Sequence, residues 1–237
     1  MGAVYVLTLR QLSGRGRLAI MAVLAALPVL ITLVVMRGNR APPVGEYEDG
    51  ILGGMLVGSI VPLIVLALAA PAFANEVEDK TLANLFLAPL QRWKIAVPKL
   101  LAVLTLAVPF IGASAALTAH LAYVADATAT LSVVAAALIA VAVYAAVFLF
   151  LGLVTTQAIG VGLLYIVVWE GLFAGFVAGV RLLSIRYNSM ALLHGLDARR
   201  FDASGQPSML VASLASLVVF SVFVWLTVRR LRRMDIP

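Results

Sequence analysis

The chain has 237 residues, 63% of them hydrophobic and 12% charged, with no cysteine and a mean hydropathy of +1.09. A soluble domain is about half apolar and about a quarter charged, so this composition excludes a soluble enzyme and makes lipid the main solvent. Lack of cysteine rules out a disulfide framework, a thiolate zinc site and an iron–sulfur cluster; the net charge of +6 is not arranged as the aromatic-studded basic stripe that nucleic-acid binding needs.

Along the chain, residues 1–17 come first. Val4 to Leu12 mixes Val, Leu and Tyr with Arg10 and Gln11, which suits a helix lying in the headgroup region. A crossing helix needs about 20 apolar residues to bridge about 30 Å of hydrocarbon. Six segments reach that length, at 18–36, 51–73, 100–121, 131–154, 159–180 and 209–228. The first is followed by no small-residue cleavage site, so it is expected to be retained as a span. The expected architecture is therefore all-α: one transmembrane domain over 1–237, six spans with both termini on one side, and no internal repeat.

Basic residues orient it. Arg10, Arg15 and Arg17, then Lys80, Arg92, Lys94 and Lys99, then Arg229, Arg230, Arg232 and Arg233 fall on one side, and six Lys/Arg fall on the other. Cytoplasmic segments carry the excess, so both termini are expected in the cytoplasm of a multi-pass inner-membrane protein. The C-terminal arginines suit anionic lipid and need no other ligand.

The loop between the second and third spans reads NEVEDKTLANLFLAPLQRWKIAVPK from Asn75 to Lys99. Glu76, Glu78 and Asp79 favour a helix N-terminus, Asp79 or Thr81 can cap it, and Leu82, Leu85 and Phe86 share a face before Pro89 ends it. Arg92 and Lys94 then return the chain to the membrane surface. The physics leaves two readings open: a helix presented to the cytoplasm for docking, or an amphipathic anchor in the interface.

Glu170 is the one acid deep inside a predicted span, where a charge costs several kcal/mol unless it is paired, hydrated or protonated. It either lines a cleft beside Tyr165 and Trp169 or is a bundle-holding residue bonded through Tyr165, Thr155 or Gln157. Gly171, Gly175 and Gly179 in the same span, and Gly54 with Gly58 in the second, have the four-residue spacing of close helix packing, within one chain or between two. His120 and His194 read as satisfied side chains, each with no second ligand near it in sequence. Short helices are expected in the loop from Arg181 to Pro207.

The run of acid, x, acid, then Thr81-Leu82, Leu85, Pro89, Arg92 and Lys99 resembles the permeases of the ABC-2 type exporter family, whose pattern reads E-x-E-x-G-T-L, leucine, then proline, x, x, arginine; Lys80 stands where the family usually has Gly. Trp169-Glu170 followed by Ser184 and Tyr187 is similar to the W-E and S-x-x-Y segments of one bacterial branch. The resemblance implies a half-transporter. Two such permeases, identical or related, would pair in the lipid bilayer, and two ATP-binding subunits would grip Glu76, Glu78, Asp79, Thr81, Leu82, Leu85, Pro89 and Arg92. Tyr165, Trp169, Glu170, Gly171 and Gly175 would lie on the translocation path or the dimer interface.

This chain has no G-x-x-x-x-G-K-[ST] segment to cradle phosphates, so it carries no cofactor and no catalytic residue in this reading; ATP and Mg belong to the partner. A proton-coupled secondary transporter using Glu170, which would require no ATPase, and a haem-exporter B-type permease are the alternatives. An intramembrane enzyme finds no H-E-x-x-H or G-x-S-x-G motif here. The cargo has no sequence signature.

Overall fold

The computed structural model describes residues 2–38, 43–78, 91–124, 126–173, 178–201 and 207–234, with side chains of 178–180 excepted. The described residues form helices and no strand. They are α1 (Gly2–Leu12), α2 (Arg15–Arg37), α3 (Val44–Glu78), α4 (Trp93–Ala122), α5 (Ala127–Val154), α6 (Ala158–Phe173), a 3-10 turn at Ala178–Leu183, α7 (Ile185–Leu196) and α8 (Met209–Arg233). Five of them, α2, α3, α4, α5 and α8, are long and apolar enough to cross a membrane.

The fifth predicted span, 159–180, is not among these five. Among the described residues of that segment, α6 has 7 α-helical residues and then 9 wound as a π-helix as far as Phe173, and Ala178–Leu183 is a 3-10 helix. The carboxylate of Glu170, in its π-wound part, is taken up by the start of α7, so the protein itself solvates this polar group. The other spans run longer than their apolar runs. The second extends over 35 residues and the third begins at Trp93, placing Lys99 two turns inside α4 instead of at its threshold.

Helix α5 is the hub, packing on α4, α8, α3 and α7. Two thirds of its apolar window is buried (67%), against 22% in α2 and 11% in α8, so those two outer helices turn most of their surface to lipid or to another subunit. Asp126 starts α5 as its N-cap, accepting from the Thr128 and Ala129 amides at 3.0 and 3.3 Å. Helix α1, separated from α2 by Ser13 and Gly14, packs on α4, and the hydroxyls of Tyr5 and Thr105 meet at 3.0 Å.

Helices α3 and α5 touch backbone to backbone at Gly152. A Cβ there would stand 2.2 Å from the Ala70 carbonyl oxygen. Gly152→Ala therefore has to push the two most buried helices apart, and thermal unfolding in detergent is expected to record a loss of about 2 kcal/mol.

The first part of α3, Glu48–Ile60, is a 13-residue π-helix, whose hydrogen bonds skip five residues. The Ser59 hydroxyl follows the same step, donating to the Gly54 carbonyl at 3.0 Å. This wide winding sets the register with α7. Along α7 the contacts recur every four residues, at His194, Met190 and Arg186; along α3 their partners recur every five, at Glu48, Gly53 and Gly58.

Candidate functional site: the Glu170 junction and the Glu76–Lys99 clamp

Two polar centres occur inside the apolar bundle. The first is built where α6 meets α7. Ser184 stands at the N-cap of α7, accepting the Tyr187 amide at 3.1 Å, and its hydroxyl donates to Glu170 Oε2 at 2.6 Å. The Ile185 amide donates to Oε1 at 2.9 Å, the Arg186 amide to Oε2 at 3.4 Å, and the Tyr165 hydroxyl to Oε1 at 3.2 Å. Glu170 is only 2% exposed. A carboxylate at a helix N-terminus meets both orphan amides and the positive end of the helix dipole, which offsets the cost of burying it. All four contacts are donors, an arrangement that suits an acceptor-only group.

Of the three partners weighed from sequence, Tyr165 reaches Glu170, while Thr155 accepts from the Gln157 amide at 3.1 Å in its own turn. Ser184, Ile185 and Arg186 were not foreseen as partners. The available signal was the Ser184-x-x-Tyr187 spacing, a helix N-cap pattern. Trp169 stacks with Tyr165 at 6.5 Å and reaches Phe173 at 6.4 Å, continuing a ladder from Tyr144 through Phe148 to Tyr165. Gly171 is exposed and nothing from another helix approaches the place a Cβ would take; Gly175 lies outside the described residues.

The second centre joins α3 to α4. Lys99 is fully buried; its ammonium donates to Glu76 Oε1 at 2.6 Å and to the Ala72 carbonyl, and lies 4.6 Å from the centre of the Phe73 ring. Glu76 thus turns into the bundle instead of outward as the docking reading supposed, because the buried ammonium requires an anion. Glu78, one residue pair further on, is exposed, and Arg92 is half-buried at the start of α4. Asp79, Thr81, Leu82, Leu85 and Pro89 lie outside the described residues. The clamp therefore fastens the end of α3, which leads into residues 79–90, to α4, which follows them.

At the opposite end of these helices, His194 pairs with Glu48 and stacks on Phe201, whose ring meets Tyr123 edge-on at 5.4 Å. Arg200 covers the same Tyr123 ring at 5.2 Å and pairs with Asp126 at 3.3 Å. Burial pushes the Tyr123 phenol well above its ordinary pKa, so it stays neutral. This cluster holds the end of α7 against the starts of α3 and α5. His120 is exposed on α4 and takes no part in it.

Five helices long and apolar enough to cross a membrane, packed in one bundle, define a polytopic helical membrane protein. The family model described as ABC-2 family transporter protein matches residues 15–185, and the chain belongs to that family. It is a membrane permease of an ABC-type transporter, a family that works with an ATP-binding subunit and whose permeases are normally non-catalytic. No curated protein matches the chain.

Proposed function

We propose that this chain is the permease half of an exporter in the cytoplasmic membrane, pairing with a second permease and driven by two separate ATP-binding subunits that dock on the segment 75–99. The observation that carries the reading is the Glu76–Lys99 clamp of that segment, within a chain of ABC-2 membership. A loop that receives force from a motor has to be rooted in the spans it moves, and a buried ion pair between α3 and α4 roots it. The excess of Lys/Arg on the loop side and at both termini supports a cytoplasmic position for all three. The unfilled Gly171 face of α6 and the sparsely buried α2 and α8 support pairing with a second copy or a related permease.

ATP-driven closure of the motor pair would then move α3 and α4 together and rock the bundle between inward- and outward-open states. The proton-coupled alternative needs Glu170 to pick up and release protons, and its ring of four donors favours a fixed acceptor instead.

The test is purification of tagged chain from its native membranes in mild detergent. A P-loop subunit in stoichiometric amount with vanadate-sensitive ATP hydrolysis is expected, and Glu78→Lys, at an exposed position, is expected to reduce its recovery with the spans intact. A clean homo-oligomer without ATPase activity would overturn the exporter reading and favour a carrier.

A further inference from the structure

Helix α7 lies on the π-helical stretch of α3 at three levels, and two of them are closed. His194 meets Glu48, and the Met190 thioether fills the space over Gly53, with Cε 3.4 Å from where a Cβ would stand. The third level ends on a cation. The Arg186 side chain lies along Gly54 and Gly58, its Cδ 3.0 Å and Nε 3.2 Å from the Cβ position of Gly58 and its Nη2 3.8 Å from that of Gly54. The glycines form a bed that any side chain would fill.

Arg186 is half-buried and takes part in none of the ion pairs among the described residues. Glu170 accepts from Ser184, Tyr165, the Ile185 amide and the backbone amide of Arg186, and the Arg186 guanidinium is not among its partners. Gly58 belongs to the apolar stretch 51–73 of α3, and a cation at such a place is costly without an anion. Leu182 and Leu183, four and three residues before Arg186 in the chain, are 44% and 57% exposed.

We propose that Arg186, seated on Gly54 and Gly58, binds the anionic head group of a membrane amphiphile, a phosphate or carboxylate taken by the guanidinium fork while the tail runs over Leu182 and Leu183. A planar guanidinium matches such groups two bonds at a time, and the exposed leucines select a ligand that arrives from the bilayer. The site concerns binding and stands whether or not the exporter reading holds.

Trp169 adjoins Glu170 and is a built-in reporter. In a Trp93→Phe/Trp225→Phe background it is the only tryptophan left. This protein is reconstituted in phosphatidylcholine vesicles containing tail-brominated phosphatidylglycerol or, in parallel, tail-brominated phosphatidylcholine. Half-quenching is expected at an about fivefold lower fraction of the acidic lipid, the worth of a charge-assisted pair. Arg186→Gln is expected to abolish that preference and Arg186→Lys to keep part of it; Gly58→Ser, which leaves every charge in place, is expected to weaken it by filling the bed. Equal quenching by the two lipids, or a preference that survives Arg186→Gln, would overturn the proposal. Inorganic phosphate is expected not to relieve the quenching; full relief by phosphate would overturn the amphiphile and assign a free anion instead.

Discussion

Glu170→Ala is expected to destabilise the protein by about 3 kcal/mol and to free the start of α7, because it strands buried donors without giving any of them a new partner. Ser184, the Ile185 amide and the Tyr165 hydroxyl all lose their acceptor, and the helix loses the negative charge at its N-terminus. Glu170→Gln keeps one oxygen and turns an amide donor toward other donors, so about half of that loss is expected. Ser184→Ala removes the cap and one of the four donors to Glu170, leaving the other three in place, and is expected to cost about 1 kcal/mol. The measurements are thermal unfolding in detergent and hydrogen exchange of two amides: that of Ile185, which donates to Glu170, should speed up in the order Ser184→Ala, Glu170→Gln, Glu170→Ala, whereas that of Tyr187, which donates to Ser184, should speed up most in Ser184→Ala. Unchanged exchange in Glu170→Ala would remove the junction from the account of α7. Proton-driven flux that vanishes in Glu170→Gln while α7 stays protected would revive the carrier reading.

Glu170 also marks how far the sequence could be read. Twenty-residue apolar runs located α2, α3, α4, α5 and α8, because nothing but length and hydrophobicity decides whether a helix crosses lipid. The same count read 159–180 as the fifth of six spans; among the described residues that stretch is α-helical over Ala158–Leu164 and π-wound over Tyr165–Phe173. The contact of Glu170 with Ser184, fourteen positions after it, was beyond the reach of apolar counting. The W-E and S-x-x-Y elements were visible as a resemblance, but not that they bond to each other.

A similar limit applies at Glu76. As one of three acids at a helix start it read as surface charge, whereas Lys99, 23 positions on, draws it inward. The π-helical winding of Glu48–Ile60 had only its glycines as a sign, and these read equally as a packing face. The pairing of Glu48 with His194, 146 residues apart, had none.

Lys99→Met is expected to cost about 4 kcal/mol, since it leaves the Glu76 carboxylate buried without its cation. Glu76→Leu strands the ammonium and is expected to cost a similar amount, softened by the Ala72 carbonyl and the Phe73 ring that still face it. The double variant removes both charges from an apolar surround and is expected to recover most of the stability, so that a double-mutant cycle gives a coupling of about 3 kcal/mol. Denaturant unfolding of the purified chain checks this, and additive losses would mean that the pair is not a unit. The double variant then separates holding the fold from holding the loop. Methionine and leucine pack without a fixed register, whereas the ion pair fixes the end of α3 to one point on α4. If the clamp roots a driven loop, the restored double variant should bind its ATP-binding subunit and still transmit poorly, seen as ATP hydrolysis that no longer changes the exposure of α7. If it transmits like the wild type, the clamp is a stability element alone, and the force must pass through the exposed surface around Glu78 and Arg92.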